Sequence, residues 1–365
     1  MSVSPRLKII YLLTVSTVVF IFDQRVALAL LGFQALLWVL AGVPAAELRN
    51  LRKSAGFMAM ILVFYALFTA DKNFTLLRLG GWDLDVSTAG AIEGAAMCVR
   101  LLTILAASTV VRHGIGREQF VGGLKGLGMG GNLAQLFEST LGYFEGRGGL
   151  GGGKKSRDED GGNDKGGKTI VVKRLLKGDL SVVAELVDNR LASARKTFAD
   201  SDLALIFGLT IVVVGIRFIK IVPGLPLAPG HKNLVIFPCF IAASTLTRTR
   251  FAATNIGAVS GALNFLAGFG RFGVFGILQH VLPGLAIDML VKLSGGSRSI
   301  VLYAVSGLVA GVARVSAVLI LSLLFRMPAE FYLALSPFIV SQCLFGVLSA
   351  PVSKYLVSHI KTDGA

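Results

Sequence analysis

The chain has 365 residues, of which 54% are hydrophobic and only 16% are charged, and its mean hydropathy is +0.72. This composition is too apolar for an ordinary water-soluble protein of the same length, which argues against a soluble enzyme. The formal net charge of +15, from 36 Lys and Arg against 21 Asp and Glu, fits the basic cytoplasmic loops of membrane proteins better than nucleic-acid binding. The apolar runs are continuous rather than alternating as in a β-barrel, so we predict an all-α protein of a cell membrane.

The first half contains four apolar runs that we predict to be membrane-spanning helices. They cover residues 9–22, 26–43, 55–70 and 89–111. Basic residues flank these runs on one side, whereas the loop 71–86 carries little net charge. The positive-inside rule therefore places the N-terminus in the cytoplasm. A second apolar run follows the first without a small-residue cleavage site, so we expect residues 9–22 to remain in the mature protein.

Two amphipathic helices and a polar linker are predicted to follow these runs. Apolar residues recur every three or four positions from Leu133 to Phe144, and again from Val183 to Phe198. This spacing places them on one face of a helix that lies on another surface instead of crossing a membrane. Between them, residues 146–168 are rich in Gly, Lys and Asp, which predicts a flexible linker.

The second half contains six apolar runs, at residues 203–222, 234–247, 252–269, 272–293, 300–325 and 331–356. Six spans return the C-terminus to the cytoplasm, so the predicted fold has two helical modules of about four and six spans. The loop 223–233 between the first two of these runs contains three prolines and two glycines. It could be a lid over a solute site or a tight connector.

A glycine-rich segment matches the sequence pattern of a phosphate-binding P-loop. The match covers residues 162–169, but the preceding residues 154–161 are charged and give no strand signal. A P-loop needs a buried strand that leads into the glycine turn, so we reject this match. No other nucleotide-hydrolysing motif is found, and the three cysteines lack metal-ligand spacing. We therefore expect no catalytic residue, metal site or cofactor in this chain, and ATP hydrolysis only in a partner.

Glu93 and Arg100 form the first group of charges within a predicted span. They lie seven positions apart and so share one face of the helix. Charges at membrane depth are costly unless they are paired or face a cavity. The pair predicts a polar contact between helices, although an arginine that extends to the membrane surface would also account for Arg100.

Polar residues in the second half suggest a solute site. One stripe recurs at every fourth position of residues 272–293, namely His280, Gly284, Asp288 and Lys292. We predict solute contacts at His280 with Gln279, and at Asn264 in the preceding run, where an amide offers both a donor and an acceptor. The alternatives are a local ion pair of Asp288 with Lys292 and a structural hydrogen bond at Asn264.

The first half resembles the transmembrane T component of energy-coupling factor transporters, over about residues 1–200. The resemblance is carried by Ser4-Pro5-Arg6-Leu7-Lys8, Ala41-Gly42-Val43-Pro44 and Arg100-Leu101-Leu102, followed by the amphipathic helices. In that family, two cytoplasmic coupling helices each end in an Ala-Arg-Gly-like signature whose arginine docks on an ATPase. Here the matching segments are Gly146-Arg147-Gly148, which lacks the Ala, and Ala194-Arg195-Lys196, which lacks the Gly. The resemblance thus implies that Arg147 and Arg195 couple this chain to an ATPase.

The second half, residues 201–365, resembles the substrate-binding S component of the same transporters. The similarity lies in the six spans, the long loop after the first, and the Gly-His-Lys-Asn-Leu start of the second at residues 230–234. In that family the first helix packs against the T component through small residues four apart, which Ala204 and Gly208 match. The expected substrate-binding residues are His231, Lys232, Asn233, Asn264, Gln279 and His280.

Together the two resemblances imply a fused subunit of an importer of the ABC (ATP-binding cassette) class for a vitamin-like or other small solute. The expected partners are ATPase chains that bind ATP and Mg, the solute and the lipid membrane, with no nucleic acid. A secondary transporter is one alternative, but only Glu93 and Asp288 are available within spans to couple an ion. A membrane-embedded enzyme is another, and it normally needs a cluster of polar catalytic groups at one depth, which the sequence does not suggest.

Overall fold

A computed structural model describes most of the chain. The described residues are 4–48, 51, 54–79, 82–146, 179, 181–195, 197–198, 200–218, 230–268, 273–327 and 329–360. Arg147, the P-loop-like residues 162–169 and most of the loop 223–233 lie outside them, as does the predicted linker beyond Gly146. The chain divides into two compact units. Unit 1 comprises Met1–Met129, Gly268–Gly276 and Val318–Ser336, and unit 2 comprises Gly130–Ala267, Ile277–Ala317 and Pro337–Ala365.

Unit 1 begins with helices at the four runs that the hydropathy pattern predicted. They are α1 (Pro5–Ile21), α2 (Gln24–Leu40), α3 (Ala55–Phe68) and α4 (Thr88–Gly114), and the shorter α5 (Arg117–Gly126) follows them. Three of them start at a side chain that accepts a hydrogen bond from a first-turn N–H, which otherwise has no partner. These N-caps are Ser4 for α1, Asp23 for α2 and Ser87 for α4. The caps explain why the helices begin where they do.

A β-hairpin lies between α3 and α4, where the sequence analysis expected only a loop. Strand β1 (Phe74–Leu79) pairs antiparallel with β2 (Trp82–Val86). The signal was present in the sequence, because Leu84 lies between two aspartates in the alternation typical of a strand. Asn73 closes the base of the hairpin by accepting the Thr88 N–H at 2.9 Å.

The core of unit 1 forms where α3 and α4 approach closely. Gly94 makes this possible, since a Cβ at this position would lie 3.1 Å from Leu62 Cα. The buried side chains around this contact come from α3, α4 and residues 318–336. They are Ile61, Tyr65, Met97, Leu101, Leu105, Leu321, Phe325, Met327 and Phe331. The hydroxyl of Tyr65 donates to the carbonyl oxygens of Phe325 and Arg326, at 2.5 and 2.6 Å.

The remaining helices mostly belong to unit 2. They are α6 (Gly131–Gly146), α7 (Ser181–Arg195), α8 (Ser201–Phe218), α9 (Asn233–Leu246), α10 (Ala252–Leu266), α11 (Leu278–Leu293), α12 (Ile300–Leu324), α13 (Ala329–Ala334), α14 (Ser336–Leu348) and α15 (Ala350–His359). The last predicted run, 331–356, is divided among α13, α14 and α15. Pro337 and Pro351 lie in the first turns of α14 and α15, where proline is tolerated and where it prevents an unbroken helix.

Both predicted amphipathic helices are present, and their apolar faces are buried. In α6 the buried residues include Phe137 and Leu141, and in α7 they include Val187 and Leu191. Helix α7 packs on α8, where a Cβ at Gly208 would lie 2.8 Å from Leu191 Cδ2. Because α6 and α7 contact α8, they belong to unit 2 by their packing. The proposed module boundary at residue 200 remains a prediction.

Four helices in the described part of the chain are long and apolar enough to cross a membrane. They cover Thr88–Gly114, Gly273–Leu293, Ile300–Leu324 and Phe331–His359, the last being the helical stretch that α13, α14 and α15 divide among them. Shorter apolar helices cover Gln24–Leu40, Ala55–Phe68, Ser201–Ile216 and Asn233–Leu246. Large apolar side chains are also exposed, such as Leu293 at 84% and Val39 at 77%. An all-α protein associated with a membrane accounts for both features, whereas the count of ten spans remains a prediction.

Candidate functional site

Arg314 carries the only formal charge in the apolar helix α12. Its side chain is partly buried within unit 2, and Nη1 donates to Oδ1 of Asn233 at 2.6 Å. Asn233 is the first residue of α9 and is fully buried. A charge among long apolar helices is costly to retain and marks a candidate site by default.

Asn233 also joins Arg314 to a third helix. Its Nδ2 donates to Oε1 of Gln342 on α14 at 2.6 Å, and Gln342 is buried as well. The Asn233 side chain therefore uses its oxygen to accept from Arg314 and its nitrogen to donate to Gln342. This sequence of hydrogen bonds fixes the orientation of Asn233, because its oxygen and nitrogen each have a defined partner.

Glycines allow the backbones around this polar cluster to approach closely. A Cβ at Gly311, one turn before Arg314, would lie 2.8 Å from the carbonyl oxygen of Gln342. Gly307, one further turn back, meets Gly346 in the same way, which brings α12 and α14 together along two turns. Gly230 adopts φ +115°, and a Cβ there would lie 3.1 Å from Cδ of Gln342. The cluster is thus enclosed by backbone contacts that larger residues would prevent.

The charge of Arg314 is not balanced by an acidic group of the described chain. Its one hydrogen bond there is to the neutral Asn233, and it takes part in no ion pair with the described residues. A guanidinium has five N–H donors in a planar fork, so further donors can bind an additional acceptor. An amide oxygen supplies a dipole but no charge. The arrangement can therefore bind an anionic group.

A second buried charge in unit 2, Asp288, has a structural role. It accepts hydrogen bonds from the N–H groups of Ala253 and Thr254 at 3.1 and 2.8 Å, and from the Thr254 hydroxyl at 2.7 Å. These groups form the first turn of α10, whose own N-cap residue, Phe251, has φ 58° and makes no side-chain cap. Asp288 thus caps α10 from a neighbouring helix. The sequence analysis offered a local ion pair of Asp288 with Lys292 as an alternative, but in the structure Asp288 binds the first turn of α10 instead.

The other predicted substrate-binding residues lie around unit 2 in different environments. Asn264 is buried, but its Nδ2 donates to the Ser260 carbonyl oxygen of its own helix at 2.5 Å. His280 is buried and Gln279 partly buried at the start of α11. His231 and Lys232 are partly buried and directly precede Asn233. Asn233 forms hydrogen bonds with Arg314 and Gln342, and a solute role for all six residues remains a prediction.

The predicted coupling and packing residues are also located, with one exception. Arg195 is exposed at the last position of α7, whereas Arg147 lies outside the described residues. Ala204 and Gly208 are buried on α8, and Gly208 contacts Leu191 of α7. Whether this face meets a T component in the way that the resemblance implies remains a prediction.

The sequence analysis missed Arg314 and Gln342. A signal for Arg314 was available in the sequence. A lone arginine in a run of about 20 or more apolar residues is a candidate functional residue, because placing its charge among apolar residues is energetically costly. Gln342 carries no such signal, since an uncharged amide in an apolar helix is common in structural contacts. Its proximity to Asn233, 109 positions earlier, arises from the fold.

Unit 1 also contains a buried arginine, but this one has a fixed backbone partner. Arg100 on α4 donates from Nη2 to the carbonyl oxygen of Phe22 at 3.2 Å. Phe22 is the C-cap of α1, so the cation lies at the negative end of that helix. This contact agrees with the predicted polar contact between helices, except that the partner is a backbone carbonyl and Glu93 is exposed.

The chemistry available in unit 2 is binding through a cation and two amides. The described residues contain no group of three or more His, Cys, Asp or Glu side chains that could hold a metal ion. Comparisons with protein-family models, curated proteins and solved structures found no match to this chain. The functional argument therefore depends on the geometry and on the residues that carry the family resemblance.

Proposed function

We propose that this chain is the membrane subunit of an importer of the energy-coupling factor type, which takes up a vitamin-like or other small solute. Unit 2 binds the solute, and separate ATPase chains bind ATP and Mg and drive the transport cycle. The observation that carries the solute-binding part is the cluster of Arg314, Asn233 and Gln342 among apolar helices. A charge in such surroundings is energetically costly, so its presence points to a function.

The amphipathic helix α7 supports the coupling part of the proposal. Its apolar face is buried, and Leu191 packs against Gly208 of α8. Arg195 is exposed at the end of the same helix. An exposed guanidinium can dock on carboxylates or helix C-termini of an ATPase, and a push on α7 would reach α8 through the Leu191 contact. In this proposal Arg147 docks in the same manner.

The test is ATP-dependent uptake by the chain with its native partners in membrane vesicles. Total metabolites labelled by growth on ¹³C-glucose serve as the probe, because the solute is unidentified. The double variant Arg147→Ala with Arg195→Ala should abolish the ATP-dependent uptake and the co-purification of ATPase chains. The matched control is Arg250→Ala with Arg298→Ala, which removes two exposed arginines outside the proposed docking helices and should leave both unchanged.

Two results would contradict the proposal. Wild-type vesicles that take up metabolites with an ion gradient and no ATP would identify a secondary transporter. A double variant that retains both its ATPase chains and its uptake would show that the coupling residues are assigned wrongly. Replacement of Gly208 by Leu, with Gly215→Leu as a control where a Cβ meets no atom within 4 Å, separately tests whether the α7–α8 contact transmits the motion.

A further inference from the structure

We propose that the solute bound by unit 2 is a monocarboxylate and that Arg314 binds its carboxylate group. This inference rests on the proposed function, because it names the class of solute for that site. The starting point is the charge of Arg314, for which the described chain supplies a neutral amide oxygen and no carboxylate. Partial burial strengthens the attraction of the guanidinium for an anion, because the surroundings screen charge less than water does.

The geometry of the amides favours binding over a purely structural role. The oxygen of Asn233 occupies one N–H of the guanidinium, at 2.6 Å, and Gln342 holds the Asn233 amide in that orientation. The guanidinium is thereby positioned while the other N–H groups of its fork stay available. A planar fork matches a carboxylate, which accepts two parallel hydrogen bonds from it. Asn233 and Gln342 are thus positioning residues.

The balance of charge selects a monoanion. One guanidinium neutralises one negative charge, and a dianion such as a phosphate monoester would leave a net negative charge among apolar helices. A neutral solute would leave the charge of Arg314 uncompensated. A carboxylate would instead form a compensated pair with hydrogen bonds on both sides, which is the condition under which buried charges are tolerated.

Substitution of Asn233 by Asp gives the sharpest test, because it changes the charge at the site with almost no change in shape. The new carboxylate would lie where the amide oxygen now accepts from Arg314, and it would neutralise the guanidinium from within the chain. We expect Asn233→Asp to fold with a thermal midpoint close to that of the wild type, because the Gln342 amide can turn so that its Nε2 donates to the new carboxylate in place of the lost Asn233 donor. It should nevertheless lose the bound anion, because the compensating charge is already present.

The experiment identifies the small molecules that stay with the full-length protein when it is purified in detergent from native membranes. Mass spectrometry of the denatured protein's extract is compared among the wild type, Arg314→Gln, Arg314→Lys, Asn233→Asp and a control, Arg298→Gln. Arg298 lies just before α12 and is exposed. We expect a monocarboxylate in the wild type and control, reduced roughly 10- to 100-fold in Arg314→Gln and Asn233→Asp, and intermediate in Arg314→Lys.

The outcomes separate this inference from the proposed function. A neutral, cationic or dianionic molecule in the wild type, or none enriched above the Arg314→Gln level, would overturn the anion assignment. So would an Asn233→Asp variant that retains the carboxylate at the wild-type level. If the carboxylate is present but no ATPase chain co-purifies and uptake needs no ATP, the anion site stands and the importer assignment fails.

Discussion

Each unit holds an arginine among its helices, and the two arginines differ in their burial and in their partners. In unit 1, Arg100 donates to the Phe22 carbonyl at the C-terminal end of α1, and the partly buried Arg112 pairs with Glu47. In unit 2, Arg314 contacts the neutral amide of Asn233. A cation at a helix C-terminus or beside a carboxylate meets negative charge that the chain itself supplies. Arg100 is held in this way through Nη2, while its Nε is buried without a hydrogen-bond partner among the described residues. A cation that meets only an amide can still accept an anion from outside.

The comparison also holds within unit 2, which satisfies its other buried charge. Asp288 receives three hydrogen bonds from the first turn of α10. The same unit therefore balances a carboxylate through donors of its own chain, while Arg314 has no acidic partner among the described residues. This contrast between Asp288 and Arg314 can be tested at each of the charges described here.

The largest effect on stability is expected at Arg100. Arg100→Gln removes a charged hydrogen bond at a helix end, and it should lower the free energy of unfolding by roughly 1.5–3 kcal/mol. The matched variant Arg314→Gln should have a much smaller effect, because Arg314 is only partly buried and its hydrogen bond is to a side-chain amide instead of a helix C-terminus. Thermal midpoints in detergent measure both variants. If Arg100→Gln and Arg314→Gln lowered the thermal midpoint equally, the proposed difference between the two arginines would be wrong and Arg314 would be a structural residue.

A somewhat smaller loss is expected at Asp288. Asp288→Ala leaves two N–H groups of α10 without their acceptor, which should cost about 1–2 kcal/mol. Asp288→Asn keeps one acceptor and should lose less. Lys292→Ala is the control, because the ion-pair alternative predicts that it destabilises as much as Asp288→Ala, whereas the helix cap predicts almost no change. Similar thermal midpoints for Lys292→Ala and the wild type would support the cap.

The ion pair of Glu47 with Arg112 should contribute less than either of these contacts. The two side chains are 28% and 14% exposed, so water screens part of their attraction. Glu47→Gln keeps the shape and an acceptor, and we expect a loss of about 1 kcal/mol or less. The exposed Glu118 offers a control, Glu118→Gln, and a larger effect there than at Glu47 would contradict the structural role of the pair.

The smallest effect is expected at Lys168, a cation that the sequence places in a water-exposed linker. Lys168→Ala should change neither uptake nor the thermal midpoint, since the P-loop match lacks its strand. ATP hydrolysis by the purified chain alone should likewise be undetectable. If Lys168→Ala abolished uptake in a protein that still assembled normally, the linker would have to be reconsidered as a nucleotide site.

The sequence located most helices correctly because their signals are local. The apolar runs at 9–22 and 89–111 correspond to α1 and α4, and the caps at Ser4 and Ser87 lie beside the residues they serve. The hairpin β1–β2 was missed because its alternation covers only a few residues. The division of residues 331–356 was missed because proline in a first turn is compatible with either one helix or several.

The sequence by itself determined that this protein is helical and suited to a membrane, because hydropathy and helix period depend on neighbouring residues alone. It also singled out Asp288 as a charge within an apolar run, and the family resemblance pointed to Asn233 as a substrate-binding residue. Only the tertiary structure decided their roles. Asp288 caps α10 and Asn233 orients Arg314 because helices distant in sequence meet at glycines such as Gly284 and Gly311. A charge becomes structural or available for binding according to the partner that such a contact supplies, and no local pattern in the sequence encodes that partner.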